Sequence, residues 1–327
     1  MTVDTQKKKS VWADVPRRLA TICIGIPFVW KLLERPITAY VFFFGAHALS
    51  AWEYSLLEPA TEQQQSPTKQ TRLLFCLSSL ALAAIPDSAG SIFSLMASLS
   101  AGIFALANKH HWIVGLLVVT IPFRAWCNLA CRFGSETTDP SSFASTVAIL
   151  LTVWNADTGA LIAGRLLGRK TGSNPLPAWI RRISPAKTLE GFIGGLLGGG
   201  LTALWAIPML LNGFSLETTP GFRKLWGLEL IHGQDGSATL SSDNGTNRLV
   251  LGFVLSVLAI LGDLVESSIK RRSQSKDSGS VLPGHGGILD RFDSSLLAVL
   301  FYRVALEQAT AMVMNGNDTN TDAQQEL

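Results

Sequence analysis

The chain has 327 residues, of which 47% are hydrophobic and only 16% are charged. Soluble globular domains carry about 25% charged residues, so this composition excludes an ordinary soluble domain and indicates a membrane protein. The net charge of +3 is small, so the distribution of charge matters more than its size. None of the four cysteines has the Cys-x-x-Cys spacing of a zinc site.

Nine segments are long and apolar enough to cross a membrane, which requires about 20 mainly apolar residues. The nine predicted helices cover residues 18–34, 36–57, 71–86, 88–107, 111–130, 141–166, 190–212, 248–269 and 294–314. The predicted fold class is therefore all-α, a polytopic integral membrane protein with about nine transmembrane helices.

The distribution of basic residues predicts the orientation, because Lys and Arg accumulate in cytosolic loops. Basic clusters precede the first helix and occur at 167–189 and 270–293, and counting helices places all three on the cytosolic side. The glycosylation sequons at Asn244 and Asn317 fall on the other side. This pattern favours the endoplasmic reticulum, while plastid, mitochondrial inner and bacterial inner membranes stay open.

Acidic residues interrupt three of the predicted helices, where their unfavourable insertion into lipid indicates a functional site. Asp263, Glu266 and Lys270 are spaced i, i+3 and i+7, so they share one helical face. Asp290 and Asp293 also share a face if the ninth helix already begins there. Oxygen ligands without a Cys or His cluster suit Mg²⁺, which often binds substrate phosphates together with carboxylates. The sequence therefore predicts a Mg²⁺ cofactor and a phosphate-bearing substrate.

Glycines dominate the polar stretch PGHGGILDRFD at 283–293. Gly284, Gly286 and Gly287 let the backbone approach a ligand, and their N–H groups near a helix start are suited to hold a phosphate. A flexible turn between two membrane helices is the alternative. The glycine run at 194–200 lacks the preceding strand of a dinucleotide-binding loop, so it predicts close packing of helices.

The segment SSIKRRSQSKDSGSVLPGHGGILDRFD at 267–293 closely resembles the phosphatidate cytidylyltransferase signature, the mark of CDP-diacylglycerol synthases. Supporting elements of that family occur in order at 157–169, 184–195 and 262–267. The resemblance covers about 141–314, whereas the first 140 residues match only in being hydrophobic helices. The family commonly reads Ser-Pro-Lys-Lys-Thr-Trp-Glu-Gly at the second element. Ala186 and Leu189 depart from that pattern, so one phosphate contact of the family is expected to be missing.

The resemblance implies an enzyme that converts CTP and phosphatidic acid into CDP-diacylglycerol and pyrophosphate. This is a Mg²⁺-dependent nucleotidyl transfer of phospholipid biosynthesis, with CTP, phosphatidic acid and the lipid bilayer as partners and no nucleic acid. The first five helices are expected to form a scaffold and to offer a homodimer interface. The implied regions are a basic cytosolic N-terminus (1–17), a transmembrane scaffold (18–140), a catalytic cytidylyltransferase region (141–314) and a disordered tail (315–327).

Position in the matched motifs implies a role for each of several polar residues. The implied catalytic residues are Asp263, Lys270, Asp290, Arg291 and Asp293, of which Asp263, Asp290 and Asp293 are the implied metal ligands. The implied substrate contacts are Ser184, Lys187, Thr188, Arg271, Lys276, His285, Gly286 and Gly287. Asp157 either organises the site or pairs with Arg165, and the role of Glu266 also stays open.

Two other functions compete with this interpretation. A CTP-dependent polyprenol kinase is also polytopic and also uses CTP, but the complete His-Gly-Gly…Asp-Arg…Asp pattern favours nucleotidyl transfer. An ion transporter would use intramembrane acids as an ion path. Its site should lie near the bilayer midplane, whereas the acids here cluster near the predicted cytosolic ends of their helices.

Overall fold

The computed structural model describes residues 27–57, 69–84, 111–130, 141–168, 175–232, 238–241, 244–279, 281 and 286–325. Within these ranges the protein is mostly helical. The helices are α1 (Pro36–Leu56), α2 (Lys69–Ala84), α3 (His111–Ala130), α4 (Ser142–Leu166), α5 (Ala178–Ile183), α6 (Leu189–Gly213), α7 (Pro220–Trp226), α8 (Gly245–Arg272) and α9 (Leu289–Gln325). A further helical stretch at 27–33 precedes α1. Between α7 and α8, β1 (Glu229–His232) and β2 (Ala238–Ser241) pair as an antiparallel hairpin.

Among the described residues, five helices are long and apolar enough to span a membrane: α3, α4, α6, α8 and the Leu289–Asn315 part of α9. They coincide with the last five predicted spans, so the protein is an integral membrane protein with a mostly helical fold. The second and third predicted spans form α1 and α2, which are not among the five. The first predicted span is described only from residue 27, and the fourth lies outside the described residues. The predicted count of about nine spans is therefore not confirmed.

Glycines bring α4 and α6 together in the most extensive contact between any two of the described elements. A Cβ atom added at Gly194 would lie 2.6 Å from the carbonyl oxygen of Gly159, and one at Gly198 would overlap the carbonyl oxygen of Asn155. Only glycine permits this approach of two backbones, as is common where membrane helices pack. The predicted packing role of the 194–200 run is confirmed.

A second close crossing joins α8 and α9. A Cβ atom at Gly262 of α8 would overlap the backbone carbonyl of Asp293 in the second turn of α9. Because Gly262 directly precedes Asp263, this crossing carries the acidic residues of both helices to one place. The crossing therefore positions the candidate site.

Aromatic residues connect the N-terminal helices to this crossing. Phe43 of α1 stacks on Trp126 of α3 with 4.8 Å between ring centroids, and its ring centroid lies 6.1 Å from that of Phe292 in α9. Phe43 and Trp126 are fully buried. Such aromatic pairs stabilise by about 0.5–1.5 kcal/mol each beyond the burial of area. The N-terminal helices thus pack directly on the helix that carries the site.

The predicted fold class needs one correction. The all-α class left out the small hairpin, which docks on α6 through Asn212: the backbone N–H of Leu240 donates to Asn212 Oδ1 at 2.8 Å. Helix α9 extends to Gln325, beyond the last predicted span, and the disorder expected for the tail at 315–327 stays a prediction. No proline interrupts this extension, and adding residues to an existing helix avoids the unfavourable nucleation step.

Candidate active site

The acidic residues of α8 and α9 form a cluster where the two helices cross. Asp263, Glu266 and Asp293 each offer one carboxylate oxygen, and these oxygens lie within 4.8 Å of one another. Oε1 of Glu266 is buried and accepts no hydrogen bond from any described residue. Carboxylates this close repel one another, so the cluster requires compensating cations.

Lys270 supplies one of these cations. Its Nζ contacts Oε2 of Glu266 and lies 2.7 Å from Oδ1 of Asp290. The side chains of Lys270, Glu266 and Asp290 are 12%, 2% and 6% exposed. Buried charges of this kind are tolerated only when they are paired. Lys270 therefore links the three-carboxylate cluster to Asp290.

Lys187 supplies a second cation from the loop that precedes α6. Its Nζ lies 2.7 Å from Oδ2 of Asp263, and the hydroxyl of Ser267 donates to Oδ1 of the same carboxylate at 3.0 Å. The neighbouring Thr188 begins α6, because its Oγ1 accepts a hydrogen bond from the N–H of Gly191 at 3.0 Å. Two sequence elements that are far apart along the chain thus meet at Asp263.

Asp157 joins the site from α4. Its Oδ2 accepts a hydrogen bond from the hydroxyl of Ser294 in α9 at 2.8 Å. It forms no ion pair with Arg165, although the structure describes both residues, and Arg165 is exposed. Of the two roles left open for Asp157, the structure therefore supports the first, in which this residue organises the site.

Asp290 holds the glycine loop. Its Oδ2 accepts hydrogen bonds from the backbone N–H groups of Gly287 at 2.8 Å and Ser278 at 3.0 Å. Gly286 has a φ of +80°, which favours glycine, and a Cβ atom there would lie 2.8 Å from Oδ2 of Asp290. At Gly286 the glycine therefore lets the backbone pass close to a carboxylate of the chain itself.

The next two N–H groups bind another acid, Glu53 of α1. The N–H of Ile288 donates to Oε1 of Glu53 at 2.9 Å, and that of Leu289 donates to Oε2 at 2.8 Å. Carboxylates thus accept from the N–H groups of all three residues 287–289. Of the three glycines predicted to hold a phosphate, the N–H of Gly287 donates to Asp290, and the phosphate cradle itself stays a prediction. Gly284 and His285 lie outside the described residues.

The structure also describes the four remaining predicted residues, Ser184, Arg271, Lys276 and Arg291. The Nε of Arg271 donates to the carbonyl of Ile183 at 3.1 Å, which ties α8 to the end of α5. Ser184 follows α5 directly and its N–H donates to the carbonyl of Ile180 at 2.8 Å. Lys276 and Arg291 are exposed. An open groove with a volume of about 700 Å³ is lined by Ala178, Trp179, Arg182, Ile183, Ser268, Arg271 and Arg272.

The cluster suits a hard divalent cation. All three donors are carboxylate oxygens, the ligands that Mg²⁺ prefers in proteins. The buried Oε1 of Glu266 has no hydrogen-bond donor among the described residues, which is the situation that a bound cation would relieve. Glu266, whose role the sequence left open, thus lies in one cluster with the two predicted ligands Asp263 and Asp293. Asp290 is not a member of that cluster, and Lys270 contacts both Glu266 and Asp290.

Sequence reasoning missed two residues that hold the site, Glu53 and Ser278. Glu53 carried the same signal that identified the other acids, since it is a carboxylate within an apolar helix. Ser278 carried no signal of its own, because its contribution includes its backbone N–H as well as its hydroxyl.

The fold and the site together define an integral membrane protein whose helix crossing carries a buried cluster of carboxylates and lysines. The model of the family described as the cytidylyltransferase family matches residues 16–308, which is most of the chain. The chain therefore belongs to the cytidylyltransferase family.

Several bacterial proteins are similar to the chain. The phosphatidate cytidylyltransferase of Staphylococcus saprophyticus is 39% identical over 158 residues, which are 48% of this chain and 47% of the relative. The phosphatidate cytidylyltransferase of Haemophilus influenzae is 34% identical over 183 residues, which are 56% of this chain and 52% of the relative. The chain thus spans about half the length of the curated relatives that it matches.

Proposed function

We propose that the protein is a CTP:phosphatidate cytidylyltransferase, which converts CTP and phosphatidic acid into CDP-diacylglycerol and pyrophosphate. The observation that carries the proposal is the meeting of Asp263, Asp293, Lys187 and Lys270 at one helix crossing. These residues come from separate motifs of the family to which the chain belongs. The relatives of the same name support the choice of substrates.

The proposed reaction is a direct displacement. A phosphate oxygen of phosphatidic acid attacks the α-phosphorus of CTP and forms a new P–O–P link. The bond from the α-phosphorus to the bridging oxygen breaks, and pyrophosphate leaves with the bonding electrons. Such a reaction needs positioning and charge neutralisation more than it needs a protein nucleophile.

Basic residues at the site would bind the two phosphate-bearing substrates. Lys187 and Lys270 are held by carboxylates and directed into the crossing, which preorganises them for developing negative charge. Arg271, Lys276 and Arg291 provide cations at the exposed rim. We assign Ser184, Thr188 and His285 to hydrogen bonds with phosphate or nucleotide, and Gly286 and Gly287 to the shape of the loop.

Asp263 and Asp293 would hold Mg²⁺, with Glu266 as a third donor. A bound Mg²⁺ supplies positive charge that offsets the charge on phosphate oxygens. For Asp290, also predicted to be a ligand, we propose a holding role instead. Its oxygens already accept hydrogen bonds from Lys270, Ser278 and Gly287.

We propose that the site faces the cytosol of a membrane crossed about nine times, as the basic loops and the apolar segments favour. The sequons favour the endoplasmic reticulum among the membranes that host this chemistry. We also propose that a homodimer would form through the N-terminal helices.

The direct test is an assay of the purified protein in detergent with labelled CTP, Mg²⁺ and phosphatidic acid. We expect CDP-diacylglycerol and pyrophosphate in equal amounts, and a loss of about 100-fold or more in Asp263→Asn. The matched control is Glu217→Gln, an exposed acid in the loop after α6, which should keep full activity. If the protein instead phosphorylated a polyprenol with CTP and formed no CDP-lipid, it would be a CTP-dependent polyprenol kinase and this proposal would be wrong.

A further inference from the structure

Glu53 is the most completely buried acid with a full set of partners in the described part of the site. It lies on α1, in the part of the chain that matches no catalytic motif, and it is 1% exposed. Its Oε1 accepts from the N–H of Ile288, and its Oε2 accepts from the N–H of Leu289 and, at 3.3 Å, from the hydroxyl of Ser278.

The energetics of this arrangement depend on the start of α9. A buried carboxylate is strongly unfavourable unless hydrogen bonds and positive charge compensate it. The first turn of a helix provides both, because its N–H groups lack partners within the helix and the helix dipole is positive there. Glu53 therefore caps α9 from a different helix, and each group satisfies the other.

Two glycines leave room for this contact. A Cβ atom at Gly279 would lie 2.5 Å from Oε1 of Glu53, and one at Gly287 would lie 2.5 Å from Oε2. A real Cβ atom cannot approach so closely. The backbone at Gly279 and at Gly287 therefore has to lack a side chain for the carboxylate of Glu53 to fit between them.

The same short segment carries the chemistry. Asp290 and Asp293 lie in the first two turns of α9, directly after the N–H groups that Glu53 binds. Ser278 also donates its N–H to Asp290, which holds Lys270. A shift at the start of α9 would therefore displace both aspartates relative to Asp263 on α8.

We propose that Glu53 is a positioning residue of the cytidylyltransferase site. It fixes the start of α9 so that Asp293 stays within reach of Asp263 and Glu266, and Asp290 stays within reach of Lys270. The expected effect on kcat rests on the proposed function, whereas the expected effect on cation binding concerns the three-carboxylate cluster alone. It gives the N-terminal region a direct part in building the site.

The test compares Glu53→Gln with wild type in two measurements. Glutamine keeps the size, but it removes the charge and turns one acceptor into a donor that faces an N–H group. We expect kcat to fall about 10–100-fold with little change in the KM for phosphatidic acid, as for other residues that orient ligands. Binding of Mn²⁺ alone, followed by electron paramagnetic resonance on the folded fraction, should weaken by about the same factor.

Two further variants decide the result if Glu53→Gln does not fold. Gly279→Ala pushes on the carboxylate from the loop side and should weaken Mn²⁺ binding and kcat in the same direction. Glu53→Asp keeps the charge on a shorter arm and should recover part of both. Glu34→Gln, which removes an exposed acid just before α1, is the matched control and should change neither.

The outcomes separate the two proposals. Normal Mn²⁺ affinity and normal kcat in folded Glu53→Gln or Gly279→Ala overturn the positioning role. Lower kcat with unchanged Mn²⁺ affinity per folded molecule also overturns it, since that pattern reflects only a smaller active fraction. Wild type that binds Mn²⁺ but makes no CDP-diacylglycerol overturns the proposed function, and the Mn²⁺ affinities of the variants still decide the role of Glu53.

Discussion

At the scale of single residues, the site depends on a balance of buried charges. Asp263, Glu266 and Asp293 crowd together, and Lys270 contacts one of them while also holding Asp290. Lys270 is therefore shared between two ion pairs. Removing one partner leaves at least one charge buried without compensation, which costs more than the pair itself contributes.

Lys270→Met tests this balance. The change leaves Glu266 and Asp290 without their shared cation, so we expect a loss of about 3–5 kcal/mol in stability together with the loss of activity. The measurement is the thermal unfolding midpoint in detergent. The double variant Lys270→Met/Glu266→Gln should recover much of the midpoint but none of the activity.

The control for this prediction is Lys31→Met. It breaks the exposed pair between Lys31 and Glu34, whose nitrogen and oxygen are 2.8 Å apart, and should leave the midpoint nearly unchanged. If Lys31→Met and Lys270→Met lowered the thermal midpoint equally, the burial of Lys270 would not explain its contribution to stability.

At the scale of the elements, glycines decide how closely the helices approach. The α4–α6 contact allows Asp157 of α4 and Lys187 before α6 to reach the same site. The α8–α9 contact at Gly262 does the same for Asp263 and Asp293. Side chains added at these contacts would separate elements that each carry part of the site.

Gly198→Ala should therefore reduce stability by about 1–3 kcal/mol, because its Cβ atom would overlap the carbonyl of Asn155. The thermal midpoint in detergent measures this effect. The matched control is Gly45→Ala in α1, where no described atom other than its immediate backbone neighbours lies within 4 Å of the added Cβ. Alanine there should be neutral or stabilising, by up to about 1 kcal/mol.

The elements also show what the sequence could and could not predict. Five of the predicted spans coincide with helices that are long and apolar enough to cross a membrane, because a mainly apolar run of about 20 residues is visible in the sequence. The hairpin was missed because each of its strands has only four residues. Asp290 and Asp293 were correctly placed on one helix, but their different partners depend on the folded loop. Glu53 carried the signal of a carboxylate in an apolar helix, but its partners lie 225–236 residues further along the chain, and a single sequence does not reveal such contacts.

At the scale of the whole molecule, the two ends of α6 and α8 carry different groups. One end of the pair carries Lys187, Lys276 and the acidic cluster. At the other end, the chain connects α6 to α8 through a loop that contains Glu217, then α7 and the hairpin. Because α6 and α8 are both candidate membrane spans, these two ends should face opposite sides of the bilayer.

Cysteine labelling tests this arrangement. Lys276→Cys and Glu217→Cys, each in a background without native cysteines, place a thiol at an exposed position at either end. In sealed microsomes, an impermeant maleimide should label Lys276→Cys directly and Glu217→Cys only after detergent is added. Labelling of both without detergent would contradict the assignment of α6 and α8 as membrane spans.

The contact between Glu53 and the start of α9 also has a consequence for biosynthesis. While the chain is being translated, α1 leaves the ribosome more than 200 residues before Ile288 and Leu289 are made. During that interval the nascent chain holds an acid in an apolar helix that has no helix end to cap. A chain truncated before residue 278 would therefore keep the Glu53 carboxylate without any of the hydrogen-bond donors that compensate it in the complete fold.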